Sequence, residues 1–327
     1  MRVFITGEKG FIGTNLIERA KQFKDIEIVT RDNGNYDHYF IHFKKEDSEP
    51  CVHKNKQPSW ESFFRNEKID VVIHNAAVVG TDVVALNSTE STLTNVEGTY
   101  RICRAAKATG VNVCYMGTTV IYDTQKYQEV EIQEDSDRGP RTLYGCQKLC
   151  AEDIVKTQSD KWMIIRPLFA YGGIGDMNSL IAKTIYAALN NKKQIDMFLD
   201  SHKIKDYMHV NDYCDAVLTA IKQGLWYDDY NVAAETPLTT WDIITKVCAF
   251  TGLKLDDVVK WHPETDYLGN HRLSCNKFSY ASGWRPKISL ELGIHMSYTS
   301  ILKSEGYNPL THLEEAKEKQ IDLTQFY

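Results

Sequence analysis

The chain lacks the apolar run of roughly 18 residues that a membrane-spanning helix requires. At its N-terminus, residues 2–5 form a short apolar strand pattern in place of the longer hydrophobic segment of a secretory signal peptide. We therefore expect a cytoplasmic protein without a membrane segment. Its 327 residues, 43% hydrophobic and 25% charged, suffice for one large or two fused globular domains.

The sequence also lacks an excess of positive charge. Its 38 lysines and arginines are outnumbered by 44 acidic residues, which gives a formal net charge of -6 and a pI near 5.9. Binding to the phosphate backbone of a nucleic acid depends on clustered cations. This balance argues against a nucleic-acid partner and favours a small anionic ligand.

No C-x-x-C pair occurs among the eight cysteines, and most of them lie within apolar patterns. This arrangement is typical of reduced, buried thiols and predicts neither a disulfide nor a structural zinc site. His38, His42 and His53 fall in the least regular part of the chain, residues 33–58, without the spacing of a known metal site. We expect no bound metal.

The N-terminus has the pattern of a strand, a glycine-rich turn and a helix. The strand leads into Gly7, Gly10 and Gly13, which have the spacing G-x-x-G-x-x-G. In such a unit the first glycine permits the tight turn, the second lets a pyrophosphate approach the backbone, and the third lets the helix pack closely on the strand. The helix N-terminus then faces the phosphates, so the pattern predicts a dinucleotide site.

A second group of polar residues has the composition of an acid/base site. Tyr144 and Lys148 share a face if they lie on one helix, and Thr118 follows an apolar strand at residues 111–116. A phenol has a pKa of about 10, and a fixed ammonium nearby favours the phenolate. We therefore expect Lys148 to make Tyr144 usable as an acid/base, with Thr118 sharing its proton. Taken alone, the Tyr-x-x-x-Lys spacing also fits two surface residues one helical turn apart.

These motifs occur in order with several others along the chain. The further motifs are Asn75-Ala76-Ala77, residues 94–99, Arg166-Pro167, residues 206–212 and Gly283-Trp284-Arg285-Pro286. The whole set resembles the extended branch of the short-chain dehydrogenase/reductase superfamily, which contains nucleotide-sugar epimerases, dehydratases and reductases. The resemblance covers residues 1 to about 303.

The resemblance implies an α/β fold, a Rossmann-type doubly wound parallel sheet with a smaller C-terminal α/β lobe that binds the substrate. We expect residues 1–170 to form the dinucleotide-binding Rossmann domain, with residues 205–233 returning to it. Residues 171–204 and 234–327 are then expected to form the nucleotide-sugar lobe and the C-terminal tail.

The resemblance also assigns the cofactor site. Its residues are Gly7, Lys9, Gly10, Phe11, Ile12, Gly13, Arg31, Asn75, Ala76, Ala77, Asn95, Tyr144 and Lys148. NAD-preferring sites place an acid near the end of the second strand, where this chain has Arg31 followed by Asp32. Lys9 and Arg31 suit the 2'-phosphate of NADP(H), whereas a shift of one residue brings Asp32 into place and favours NAD(H). A third interpretation is that both cations are solvated surface charges. Of the three interpretations we favour the first and expect NADP(H) as the cofactor.

Relatives bind the diphosphate of a nucleotide sugar through residues of the second lobe. Asn178 matches one such position, and Lys205 and Arg272 stand where relatives carry arginines. A lysine neutralises phosphate but does not form the bidentate pair of an arginine. Thr119 is a further candidate substrate contact, while Lys205 and Arg272 are alternatively surface charges.

In relatives, two helices pack against their copies in a dimer. The corresponding helices are predicted here at about residues 91–108 and 144–157. A homodimer is therefore implied by the resemblance.

The residues beside the motifs limit the types of reaction that we expect. Dehydratases of this branch follow the active threonine with Asp-Glu, where this chain has Thr119-Val120. The GDP-fucose synthase type uses a cysteine and a histidine for extra epimerisations, where this chain has Val120 and Leu180. What remains is hydride transfer at one carbon, with Tyr144 exchanging the hydroxyl proton and Lys148 also holding the nicotinamide ribose.

We therefore expect an oxidoreductase that acts at C4 of a nucleotide-diphosphate sugar, by NADP(H)-dependent reduction of a 4-keto sugar. One alternative is a nucleotide-sugar 4-epimerase with retained NAD, which needs the same three catalytic residues. Another is a non-catalytic dinucleotide-binding sensor or scaffold, against which the intact set of Thr118, Tyr144 and Lys148 argues.

Overall fold

The structure, a computed structural model, describes residues 1–30, 59–127, 130–189, 195–197, 200–251, 258–262 and 269–306. The described residues form two compact units. The first draws on Met1–Asp123, Ser136–Arg166 and Val217–Tyr230, and the second on Thr124–Asp135, Pro167–Ala216 and the chain from Asn231 onward. Among the described helices, none is long and apolar enough to cross a membrane.

A six-stranded sheet forms the centre of the first unit. Its strands are β1 (Arg2–Thr6), β2 (Glu27–Val29), β3 (Val71–His74), β4 (Asn112–Met116), β5 (Trp162–Pro167) and β10 (Asp228–Val232). Their order is β10-β5-β4-β3-β1-β2, and the pairings from β2 through β1, β3 and β4 to β5 are all parallel. The side chains of β3 are buried throughout, as expected of a parallel strand covered on both faces. The predicted α/β parallel sheet is confirmed.

Helices cover this sheet, and side-chain caps begin two of them, α2 and α6. They are α1 (Phe11–Ala20), α2 (Trp60–Asn66), α3 (Thr81–Leu86), α4 (Ser88–Thr92), α5 (Gly98–Thr109) and α6 (Leu143–Gln158). Ser59 caps α2 by accepting from the Ser62 N–H, and Thr142 caps α6 by accepting from the Gly145 N–H. After α5, Gly110 adopts φ = 75°, the left-handed conformation that favours glycine at a helix end.

A π-helical turn at Leu93–Glu97 joins α4 to α5. The sequence predicts one continuous helix in this region, and the structure shows a helix with an inserted residue instead. Such π-turns are frequent at functional sites. Asn95, one of the predicted cofactor residues, lies within the turn and is only 1% exposed.

The hydrophobic core on one face of the sheet is formed by residues from strands and helices that alternate along the chain. Phe4 lies against the aromatic rings of α2, with ring centres 4.9 Å from Phe63 and 6.2 Å from Phe64. Buried residues of α5 and α6 complete this core, including Ile102, Ala105, Ala151 and Val155.

The strand order reverses between β1 and β3. The chain proceeds from β1 to β2 on one side and then places β3 on the other side of β1. In open parallel sheets, ligands bind outside the carboxyl ends of the strands at such a reversal. Here these ends lead into Gly7 and Asn75, two of the predicted cofactor residues.

The second unit contains short strands and longer helices. Its strands are β6 (Phe169–Tyr171), β7 (Ile195–Met197), β8 (Ile204–Lys205), β9 (Tyr207–His209), β11 (Leu238–Thr239) and β12 (Val259–Trp261), which pair as β6 with β9, β7 with β12 and β8 with β11. Its helices are α7 (Leu180–Leu189), α9 (Thr240–Thr251), α10 (Asn276–Ser282) and α11 (Leu290–Ser304), together with the first half of α8 (Val210–Gln223), which belongs to the first unit from Val217 onward. Buried side chains of α7, α9 and α11 form its core.

The compact units differ from the predicted domain boundaries in two places. Residues 124–135 belong to the second unit, and the chain returns to the first unit at Val217 instead of at residue 205. The first difference has a backbone cause, because the Ile132 N–H donates to the Arg272 carbonyl and the Ile132 carbonyl accepts from the Ser274 N–H.

The sequence predicts that Asp212 caps a helix over residues 213–223 and so has a structural role, but Asp212 lies inside the observed helix. Helix α8 starts two residues earlier, at Val210. The Asp212 carboxylate instead accepts hydrogen bonds from the backbone N–H groups of Lys287 and Ile288, at 2.9 and 2.8 Å. Its role is structural, as predicted, but it joins distant segments of the second unit.

Candidate active site

The glycine turn between β1 and α1 has no room for a side chain at Gly7 or Gly13. Gly7 adopts φ = 69°, and a Cβ there would lie 2.9 Å from the Ala76 Cα. A Cβ on Gly13 would overlap the Gly7 carbonyl oxygen. The first turn of α1 has neither a side-chain cap nor an acidic residue, so its N–H groups suit an anion. These residues therefore fit the diphosphate of a dinucleotide.

The loop after β3 lies directly against this turn. The N–H groups of Asn75 and Ala76 donate to the Thr6 hydroxyl at 3.1 and 3.0 Å, and the Asn75 amide donates to the Gly7 carbonyl at 3.4 Å. Ala77 follows and is half-buried. The structure thus brings the predicted cofactor residues of β1 and β3 together.

Asn95 holds the backbone of the same loop. Its side-chain oxygen accepts from the Val78 N–H at 2.8 Å, and its side-chain nitrogen donates to the Val78 carbonyl at 2.9 Å. One buried amide therefore satisfies both backbone groups of one loop residue.

The side chains of Thr118 and Tyr144 interact closely enough to affect the pKa of the phenol. Thr118 precedes a 3-10 turn at Thr119–Ile121, and Tyr144 lies in the first turn of α6, where it is half-buried. Burial raises the pKa of Tyr144 to about 12, and the interaction with Thr118 acts in the opposite direction. The shift is upward, opposite to the one expected from the sequence, because loss of solvent disfavours the phenolate more than Thr118 stabilises it.

Lys148 is deeply buried, with 3% of its surface exposed. Its ammonium donates to the Met116 carbonyl at 2.6 Å and lies 4.2 Å from the centre of the Tyr115 ring. Burial lowers the pKa of Lys148 to about 7, while the carboxylate of Glu152 acts to raise it. The ammonium is thus fixed at the carboxyl end of β4, two residues before Thr118.

A buried ion cluster lies one helical turn beyond Lys148. The guanidinium of Arg166, fully buried in β5, donates to both carboxylate oxygens of Glu152 at 2.8–3.2 Å and to the Tyr122 hydroxyl at 2.8 Å. It also contacts the carboxylate of Asp229 at 3.0 Å. No motif in the sequence marks Glu152, although its position four residues after Lys148 places it on the same helix face.

Lys9 and Arg31 are the two cations predicted to bind the ribose 2'-phosphate of the cofactor. Lys9 is exposed within the glycine turn. Arg31, together with Asp32, lies outside the described residues, as do His38, His42 and His53. The choice between an arginine and an acid at the ribose therefore stays a prediction.

The predicted substrate residues have different environments. Thr119, in the first unit, is buried with 2% exposure. In the second unit Asn178 is exposed just before α7, and Arg272 is half-buried. Lys205 is 1% exposed, and its ammonium donates to the Gly269 carbonyl at 3.3 Å. Lys205 is therefore not the surface charge that the alternative interpretation described.

The fold and the glycine turn define a dinucleotide-binding protein of the Rossmann type. A model of the NAD dependent epimerase/dehydratase family matches residues 3–233. The chain belongs to this family, within the nucleotide-sugar branch of the extended short-chain dehydrogenases/reductases. The resemblance drawn from the sequence motifs is confirmed.

The relatives include enzymes of different reaction types. The dTDP-glucose 4,6-dehydratase of Haemophilus influenzae is 22% identical over 329 residues, which cover 91% of this chain and 96% of that protein. The GDP-6-deoxy-D-talose 4-dehydrogenase of Aggregatibacter actinomycetemcomitans is 26% identical over 254 residues, 76% of this chain and 79% of that protein.

Solved structures share the fold over nearly the whole chain. The UDP-glucuronic acid 4-epimerase from Bacillus cereus, in complex with UDP-glucuronic acid and NAD, has a TM-score of 0.77 at 19% identity and covers 93% of this chain and 100% of that one. Other structures of this fold are complexes with NAD or with NADPH. The family binds nicotinamide dinucleotides, and both NAD and NADPH occur among these structures.

Proposed function

We propose that this protein is an oxidoreductase that acts at C4 of a nucleotide-diphosphate sugar, by NADP(H)-dependent reduction of a 4-keto sugar. The proposal rests on the placement of Tyr144 beside Thr118, with the buried ammonium of Lys148 held at the carboxyl end of β4. This arrangement provides a group that donates a proton to an oxygen atom, and the family's dinucleotide supplies the hydride.

The protonation of Tyr144 favours the reductive direction. With a pKa of about 12, the phenol keeps its proton at neutral pH. Reduction of a ketone needs a proton donor at the carbonyl oxygen, whereas oxidation of an alcohol needs a base there. Thr118, beside the phenol, shares that proton, and Lys148 holds a fixed ammonium near the nicotinamide ribose.

The residues after Thr118 argue against a dehydratase, although dehydratases are among the relatives. Elimination of water requires an acid and a base in addition to the group that moves the C4 proton. At the two positions in question this chain has Thr119, which is buried, and Val120, which has no ionisable group. Neither residue moves a proton at neutral pH.

NADP(H) is the proposed cofactor. Lys9 stands exposed in the glycine turn, and the sequence places Arg31 after the second strand. Two cations there suit a ribose 2'-phosphate, through charge-assisted hydrogen bonds. We further propose Asn178, Lys205, Arg272 and Thr119 as substrate contacts, and the cytoplasm as the compartment.

A 4-epimerase with retained NAD is the second candidate. It requires the same Thr118, Tyr144 and Lys148, and a 4-epimerase with bound NAD shares the fold. In that reaction Tyr144 accepts a proton in the first step and returns it in the second.

Analysis of the bound nucleotide distinguishes the two candidates. Freshly purified protein is denatured, released nucleotide is identified by chromatography, and the emptied protein is titrated with NADPH and NADH. We expect little bound nucleotide and tighter binding of NADPH. Stoichiometric NAD would contradict the reductase and support the epimerase.

An Arg31→Asp variant should weaken the binding of NADPH more than that of NADH, by about 1.5–3 kcal/mol, the value of a charge-assisted hydrogen bond.

A further inference from the structure

We propose that Gln147 is a positioning residue that fixes the rotation of helix α6 against the loop after β3, and so sets the placement of Tyr144 and Lys148 relative to that loop. The functional part of this inference rests on the proposed role of these two residues. Gln147 is 4% exposed and lies between them on the same helical turn. A buried amide is unfavourable unless it is hydrogen-bonded, so its partners show what holds it there.

The three hydrogen bonds of the Gln147 amide are all directed at one region. Its oxygen accepts from the Asn95 amide nitrogen at 2.8 Å. Its nitrogen donates to the hydroxyls of Ser91 and Thr92, at 3.0 and 2.9 Å. Gln147 therefore joins α6 to the segment that contains α4 and the π-turn.

The orientation of both amides follows from their partners. Asn95 must turn its oxygen to the Val78 N–H and its nitrogen to the Val78 carbonyl. Only the nitrogen of Asn95 then reaches Gln147, so Gln147 must present its oxygen. Its nitrogen consequently faces Ser91 and Thr92, whose hydroxyls donate to backbone carbonyls and are free to accept.

The network continues from Asn95 to the glycine turn. The Thr99 hydroxyl donates to the Asn95 carbonyl at 2.7 Å and contacts Nε2 of His74 at 3.0 Å. Nδ1 of His74 contacts the Thr6 hydroxyl at 2.8 Å, and that hydroxyl accepts from two backbone N–H groups of the loop after β3. Burial lowers the pKa of His74 to about 3, so the ring is neutral and donates through one nitrogen only.

Each hydroxyl in this chain has a single proton, which fixes the direction of the bonds. Thr6 accepts from the loop and so donates to Nδ1 of His74. Nε2 of His74 then carries the proton and donates to Thr99, which donates to Asn95. A directed hydrogen-bond chain thus runs from the cofactor loop to the residue that Gln147 holds.

Removal of the Gln147 amide breaks the connection without touching Tyr144 or Lys148. Because a displacement of about 1 Å lowers the rate of an enzyme by as much as 10²-fold, loss of this connection reduces turnover more than binding. Gln147→Met has nearly the same length and volume but makes no hydrogen bonds to Asn95, Ser91 or Thr92. Ser91→Ala removes a single acceptor and should have a smaller effect.

Amide hydrogen exchange tests the proposal independently of the reaction. The full-length protein is compared with Gln147→Met, and exchange of the Val78 N–H is followed by NMR or in a peptide that spans residues 76–80. We expect exchange there to accelerate about tenfold, the effect of weakening one buried hydrogen bond. Val155→Ala is the control, since it creates a cavity in the same helix away from the network.

Kinetics provides the second measurement once turnover is established. Gln147→Met should lower kcat about tenfold or more and change the KM of the sugar nucleotide by less than about threefold. The proposal is overturned if Val78 exchanges as in the wild-type protein, or if Val155→Ala accelerates its exchange equally. Accelerated exchange in a protein that does not reduce keto sugars would contradict the proposed function and leave the positioning role supported.

Discussion

At the scale of single residues, burial decides the chemistry of the candidate site. The phenol of Tyr144 is shifted towards its neutral form, and so is the ammonium of Lys148, whose pKa falls to about 7. The sequence motifs predicted both residues and their partner Thr118 as members of the site. It did not reveal that Lys148 donates to the Met116 carbonyl, because a backbone carbonyl partner leaves no trace in the residue pattern.

Tyr144→Phe tests the proton donor. The variant keeps the ring but loses the hydroxyl that lies beside Thr118, so it should bind the dinucleotide normally and lose activity by about 10²-fold or more. Steady-state kinetics and a dinucleotide titration measure the two quantities. Tyr227→Phe, at a position that is 61% exposed, is the matched control and should retain activity. Near-normal turnover of Tyr144→Phe would remove this residue from its role.

The buried ammonium of Lys148 gives the stability of the protein a characteristic pH dependence. In the unfolded chain a lysine has a pKa of about 10.4, whereas in the folded protein the pKa of Lys148 is about 7. Between these values the unfolded state binds more protons, so the free energy of unfolding rises with pH, by at most about 1.4 kcal/mol per unit. Below pH 7 the full penalty of burying the charge is present.

Lys148→Met removes this dependence. Urea unfolding at several pH values should show that the wild-type protein gains stability relative to the variant as pH increases from about 7 to 10. A difference between the two proteins that stays constant across this range would mean that Lys148 is protonated in the folded protein throughout.

At the scale of secondary-structure elements, the strand, glycine turn and helix at the N-terminus were predictable and the π-turn was not. The spacing of the glycines predicts this unit, because a Cβ at Gly7 or Gly13 would lie too close to neighbouring backbone atoms. The π-turn at Leu93–Glu97 depends on Asn95 binding the Val78 backbone and Gln147, which are distant in sequence. Asp212 failed as a predicted cap for the same reason, since its partners Lys287 and Ile288 lie far along the chain.

Gly13→Ala tests the packing of α1 on β1. The added Cβ would overlap the Gly7 carbonyl, so the helix must move away from the turn, which costs about 1–3 kcal/mol. We expect a lower melting temperature and a dinucleotide affinity at least about tenfold weaker, because the first-turn N–H groups move with the helix. Gly110→Ala is the control.

Gly110 has a positive φ, unlike the helical Gly13, but a Cβ there would meet no atom within 4 Å. That substitution should destabilise the fold through backbone strain alone, by about 1 kcal/mol, and leave the affinity unchanged. Equal losses of affinity in the two variants would show that α1 does not hold the phosphates.

At the scale of the whole molecule, the family assignment was readable from ordered motifs, while the extent of each compact unit was not. Residues 124–135 join the second unit through backbone hydrogen bonds of Ile132, which no motif indicates. The expected homodimer also belongs to this scale. The resemblance implies it for α5 and α6. Five of the seven described cysteines are buried, as expected, and the two exposed ones, Cys146 and Cys150, lie on α6.

Light scattering should give a mass of twice 37.5 kDa for the wild-type protein. Cys150→Arg adds a charged, bulky side chain to the exposed face of α6 and should shift the protein to the monomer. Tyr280→Arg, at a position that is 84% exposed on α10, is the control and should stay dimeric. A monomeric wild-type protein, or an unaffected Cys150→Arg dimer, would contradict the expected interface.

Transfer of deuterium shows whether the protein reduces a 4-keto sugar. The protein is supplied with NADPH that carries deuterium at the transferable C4 position, together with a panel of 4-keto nucleotide-diphosphate sugars or, separately, of their 4-hydroxy counterparts, and the products are examined by NMR and mass spectrometry. Reduction at C4 predicts one deuterium at the sugar C4 for each NADPH oxidised, with none in Tyr144→Phe. Interconversion of 4-hydroxy sugars without oxidation of NADPH and without deuterium in the product would contradict the account and identify an epimerase with retained NAD.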